Sequence, residues 1–153
     1  MTPRNSEQKL AVLKDRKVLA LSILEEGLDL IVLHFDNQLS DAQYDALWNV
    51  TIQVSRSRAK NNLGRCKYLY DKQEPGAREK RNWTLLGSKI NIDWDMGNHS
   101  WEEEFRDTVL HELAHHMCGV LHGLSRDIKG HGIEWKQCAE FLGCRPQSIQ
   151  HRR

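Results

Sequence analysis

No stretch of the 153-residue chain is apolar enough to span a membrane, and none of its four cysteines pairs with another as C-x-x-C. The first absence excludes a protein built on bilayer helices. The second leaves Cys66, Cys118, Cys138 and Cys144 as small buried hydrophobes of a reducing compartment, with no Cys-rich structural zinc site. The opening "MTPRNSEQKLAVLKDRK" has no continuous apolar segment before a small-residue cleavage site. It is not a secretory signal, so a cytosolic or nuclear protein is expected. No internal repeat is visible. Charge is also nearly absent on average, at +1 net.

That average hides a basic middle. Residues 56 to 89 carry ten Lys/Arg, including Arg78, Lys80 and Arg81, against Asp71, Glu74 and Glu79. Residues 93 to 107, "DWDMGNHSWEEEFRD", are acidic. With 39% hydrophobic and 28% charged residues, the chain has the size and composition of one soluble domain over 1–153. Residues 1–8 are expected to be flexible.

Hydrophobic spacing divides the chain into elements. Residues 6 to 26 repeat apolar positions at helical spacing behind Ser6, with Leu10, Leu13, Leu21 and Leu24 on one stripe and Gly27 as the expected stop. The segment "LDLIVLHF" fits helix or strand, whereas "SDAQYDALW" reads as a short helix capped by Ser40. "NVTIQVS" alternates, with Val50, Ile52 and Val54 on one face of a strand. "LGRCKYLY" and "WTLLGSKINIDW" are further strands, joined by the charged Pro-Gly loop "DKQEPGAREKRN". From Ser100 the pattern returns to helix, with acidic residues in the first turn and Phe105, Val109, Leu113 and Val120 toward the core. Gly123 ends that helix. A last helix, "IEWKQCAEFLG", closes at Gly143. The expected fold class is α+β: a small antiparallel sheet packed on helices, with the long helix after Ser100 and a final helix forming a core over about residues 100 to 145.

The long helix after Ser100 contains H-E-x-x-H. At 3.6 residues per turn, His111 and His115 project from one face about 6 Å apart in rise, so one ion can sit between them. Glu112 flanks the same face and can reach a metal-bound water as general base. A stable site needs a third protein ligand. His116 is turned about 100° from His115. His122 shares the face but lies roughly 10 Å beyond His115 in rise, out of reach on a straight helix. The longer H-E-x-x-H-x-x-G-x-x-H pattern fails, because Cys118 and Leu121 stand where its glycine and histidine belong. His131 remains, flanked by Gly130 and Gly132, which let backbone pack close to the helix. Fifteen intervening residues suffice for the chain to turn and return. Trp135 is expected to wedge the last helix against the metal helix. Three imidazoles with one position left open suit one catalytic Zn2+ per chain.

H-E-L-A-H followed by G-H-G-x-x-W-K resembles the SprT-like family, which includes the Spartan-type proteases of DNA–protein crosslinks. "NLGRCKY" resembles the family's glycine-cysteine strand, and "SKINIDW" the strand before its metal helix. The resemblance covers most of residues 28 to 145. It implies a small zincin-like fold, His111, His115 and His131 as zinc ligands, Glu112 as general base, and proteolysis of proteins on DNA. Two departures from many relatives are expected: with Arg153 soon after the last helix, no zinc ribbon or recruitment tail is expected, and the charged loop at 71 to 82 is expected to be longer than usual.

The expected partners are protein substrates and DNA. Arg78, Lys80 and Arg81 would meet phosphates, and Trp83 would stack an unpaired base, favouring single strands or duplex ends. Two other readings use the same residues. One is a nucleic-acid-binding module with a structural or vestigial zinc site, against which stands Glu112. The other is a small regulatory peptidase that cleaves one partner, such as a repressor.

Overall fold

The structure, a computed structural model, describes residues 6–55, 63–72, 83–95, 100–124 and 130–145. Among these are four α-helices and three strands: α1 (Ser6–Phe35), α2 (Asp41–Trp48), β1 (Val50–Ser55), β2 (Gly64–Lys72), β3 (Trp83–Asp93), α3 (Trp101–His122) and α4 (Ile133–Leu142). None of the helices is long and apolar enough to cross a membrane. The fold is α+β and consistent with a zincin-like arrangement.

α1 does not stop at Gly27 but runs on to Phe35. Its buried stripe is Ala20, Ile23, Leu24, Gly27, Leu28 and Ile31, while Leu10 and Leu21 are exposed by 65% and 48%. The spacing of 20, 23, 24, 27, 28 and 31 follows the helical period, and Gly27 belongs to the contact face. A Cβ at Gly27 would lie 2.3 Å from Leu113 Cδ2, so this glycine lets α1 lie close against α3.

α2 begins in a capping box: the Ser40 hydroxyl accepts from Gln43 N at 3.1 Å, and Gln43 Oε1 accepts from Ser40 N at 2.8 Å. At its other end Asn49 seats on β3, with Nδ2 donating to Leu86 O and its own carbonyl accepting from Ser88 N.

The sheet order is β1-β3-β2. β2 and β3 form the expected antiparallel pair, with a register shift between Leu69 and Tyr70. β1 instead joins the far side of β3 in parallel, from Val50↔Ser88 to Ser55↔Asp93, so the sheet is mixed rather than wholly antiparallel. Alternation reveals which side chains share a face but carries no information about a strand's partner or direction. One face, with Val54, Leu85, Ile90 and Ile92, packs in the core with α1 and α3. Phe105, Val109, Leu113 and Val120 of α3 are buried there, as their spacing predicts.

α3 carries Glu102, Glu103 and Glu104 in its first turn and ends at Gly123, whose φ is 79°. α4 ends at Gly143, in the left-handed region at φ 78°.

Candidate metal centre

α3 and the segment that leads into α4 bring three histidines together. Potential ligand atoms of His111, His115 and His131 all lie within 4.8 Å of one another. His115 Nε2 is 3.2 Å from His131 Nε2, which is 3.3 Å from His111 Nε2. Two imidazole nitrogens on a tetrahedral zinc, each about 2.0–2.1 Å from the ion, stand about 3.3–3.4 Å apart. The donor set therefore fits a single small divalent ion.

Trp135 fixes these rings from behind. It is fully buried at the start of α4, and its centroid lies 4.7, 5.3 and 4.8 Å from those of His111, His115 and His131. It stacks on His115 at 28° and meets His131 edge-on at 89°. Its indole N–H donates to His111 O at 3.4 Å. Apolar contact on one side and an anchored N–H on the other leave the rings little freedom. The backbone of His115 has a tether too, since Tyr68 on β2 donates its hydroxyl to His115 O at 3.1 Å.

Burial sets the protonation of the cluster. It lowers His111 to about 4, helped by neighbouring His131 and opposed by Asp107. Burial, with His111 and His131 nearby, lowers His115 to about 3. His131 is lowered by burial as well. Neutral imidazoles keep the lone pairs a metal needs. Glu112, only 5% exposed, is pushed up by burial to about 8. A carboxylate so placed takes up a proton readily, the property a general base requires.

The neighbouring histidines have other duties. His116 is fully buried, with Nε2 at 2.9 Å from Leu47 O and Nδ1 at 2.7 Å from Ser88 Oγ. A carbonyl can only accept, so Nε2 carries the proton and Nδ1 accepts from the Ser88 hydroxyl. His116 thus ties α3 to the end of α2 and to β3. His122 is exposed at the end of α3, on a cleft with Ala46, Leu85 and Gly123, and is not in the three-histidine group.

Sequence reasoning missed two supports. Asp107, one turn before His111, accepts from Arg145 N at 2.9 Å and Arg145 Nε at 3.1 Å, clamping the chain after α4 onto α3. An acidic residue four before a candidate ligand was the available signal. The second is Tyr68, whose inward direction follows from strand alternation with Gly64 and Cys66.

Of the nucleic-acid candidates, Arg78, Lys80 and Arg81 lie outside the described residues. Trp83 opens β3 opposite Lys72. Among the described residues, Arg65, Lys67 and Lys89 are exposed, and Lys67 pairs directly with Lys89. Alternation puts them with Thr51, Gln53 and Asn91 on the sheet face opposite Gly64, Cys66 and Tyr68.

An α+β fold with an H-E-x-x-H helix, a third histidine returning to it and a buried glutamate beside them defines a chain of the zincin type. The model of the SprT-like family matches residues 29–153, and the chain belongs to that family. The family is associated with metalloprotease-like function. Among curated proteins and solved structures, none matches the chain at a significant level.

Proposed function

We propose that the chain is a zinc-dependent endopeptidase acting on DNA-associated proteins. The observation that carries this reading is the convergence of three imidazoles at tetrahedral spacing with Glu112 next to the first of them. His111, His115 and His131 would hold one zinc ion. The chemistry zinc supplies at such a site is Lewis acidity, which polarises a peptide carbonyl and makes water more acidic.

Glu112 does the proton work. It accepts a proton from the attacking water as the water oxygen bonds to the carbonyl carbon. It then delivers that proton to the amide nitrogen as the C–N bond breaks. A site holding a metal only for structure has no need of this carboxylate.

DNA association is supported by charge. Arg65, Lys67 and Lys89 share an exposed sheet face with Thr51, Gln53 and Asn91, where alternation also puts one exposed carboxylate, Asp71, and the buried Asp93, so exposed cations outnumber exposed carboxylates. Such a face attracts phosphates without regard to sequence. It lies across the sheet from α3, so in this reading DNA recruits the enzyme to its substrate rather than entering the metal cleft.

The test is to incubate the zinc-loaded protein with a DNA-binding substrate protein, alone, with single-stranded DNA and with duplex DNA. Cleavage should rise with DNA and vanish in Glu112→Gln, whose amide accepts no proton. Equal cleavage by Glu112→Gln would overturn the mechanism. Cleavage of one partner regardless of DNA would favour the regulatory peptidase.

A further inference from the structure

Gly64 opens β2 directly against the general-base side of α3. A Cβ built there would lie 2.8 Å from Thr108 Cγ2, 3.0 Å from Glu112 Oε2 and 3.1 Å from Glu112 Cγ. All three separations are shorter than the ordinary carbon contact distance of about 3.5–4.0 Å. The glycine's φ is not positive, so backbone conformation does not call for it. Glycine in a strand weakens it, and alanine at such a place would normally be neutral or favourable.

The two groups that meet this Cβ differ in their freedom to move. Thr108 is β-branched and fully buried, and its hydroxyl donates to Glu104 O at 2.7 Å, so it is held. Glu112 ends in a carboxylate on a flexible stem. A side chain at position 64 would therefore displace Glu112.

We propose that Gly64 is a positioning residue for the hydrolytic reaction: by presenting bare backbone, it leaves the pocket in which the Glu112 carboxylate is held. This inference rests on the reading of Glu112 as general base. The next inward residue of β2 supports it. Burial, with the Glu112 carboxylate as a second contribution, raises the Cys66 thiol to about 12. The inner face of β2 is thus the wall behind the carboxylate, and Gly64 is the place where that wall is thinnest.

The test uses Gly64→Ala, Thr108→Ser and the double variant, all zinc-loaded. Thr108→Ser removes the methyl 2.8 Å from the new Cβ but keeps the hydroxyl for Glu104 O, so the double variant also relieves the clash most able to prevent folding. Gly64→Ala should keep its zinc and its KM while kcat falls by at least about tenfold, the scale of a displaced general base. Thr108→Ser alone should behave as wild type, and the double variant should remain slow because the Glu112 clash persists. A crystal structure of Gly64→Ala should show the Glu112 carboxylate moved from its wild-type position, a result independent of activity. Wild-type kcat in Gly64→Ala, full recovery in the double variant, or an unmoved Glu112 would each overturn the proposal. Loss of cleavage by the wild-type protein itself would instead sink the peptidase reading, and the crystallographic result would still decide the role of Gly64.

Discussion

Replacing Gly27 with alanine opposes two effects of similar size. Alanine in the interior of a 30-residue helix gains about 0.8–1.0 kcal/mol in helix propensity over glycine. The new methyl would stand 2.3 Å from Leu113 Cδ2, more than 1 Å inside van der Waals distance. Leu113 is fully buried, so it cannot swing into solvent. Inserting a methyl into a packed core costs about 1–3 kcal/mol, and a clash this deep belongs at the upper end. The net loss is about 1–2 kcal/mol, which for a chain of this size lowers Tm by roughly 2–8 °C. A thermal melt of the zinc-loaded protein reads it. Leu113→Val, which removes the clashing Cδ, should be destabilising alone and compensating beside Gly27→Ala, a coupling visible in a double-mutant cycle. A rise in Tm for Gly27→Ala, or strict additivity with Leu113→Val, would show that α1 does not lie against α3 as described.

Two more perturbations follow from buried and exposed charge. His116 is held down from 6.5 to about 4 by burial. The unfolded chain therefore binds its proton more readily, so this contribution is complete above pH 6.5 and is lost as pH falls toward 4, by up to about 3 kcal/mol. Urea midpoints at pH 7 and pH 5 should show His116→Gln less stable at neutrality but less sensitive to acid, and identical pH slopes would contradict this. Gln at the exposed Arg65, Lys67 and Lys89, or at Arg78, Lys80 and Arg81, should weaken DNA binding and flatten its salt dependence. The expected change is about 0.7–0.9 log units of affinity per log unit of salt for each phosphate that the variant no longer neutralises. An unchanged slope in both variants would reduce those charges to a solvated face.

What could be read from the sequence was local. His111, Glu112 and His115 follow from one helical period, and His131 from its flanking glycines and the length of chain available to return. The capping box at Ser40 and the stops at Gly123 and Gly143 are also local signals. Gly27 resembles them in sequence alone, because a glycine that ends a helix and one that admits a neighbouring helix look alike until the neighbour is known. The parallel pairing of β1 was hidden because alternation is blind to direction. Gly64 was hidden in the same way, since its importance lies in atoms of residues 108 and 112, far along the chain. Tertiary packing supplies what period and punctuation cannot.

The central claim is that His111, His115 and His131, and not His122, hold one zinc ion. Metal analysis of the purified wild type, His131→Ala and His122→Ala after identical dialysis tests it most directly. Wild type and His122→Ala should each carry one zinc per chain, and His131→Ala should lose most of it. Full zinc in His131→Ala with loss in His122→Ala would contradict it.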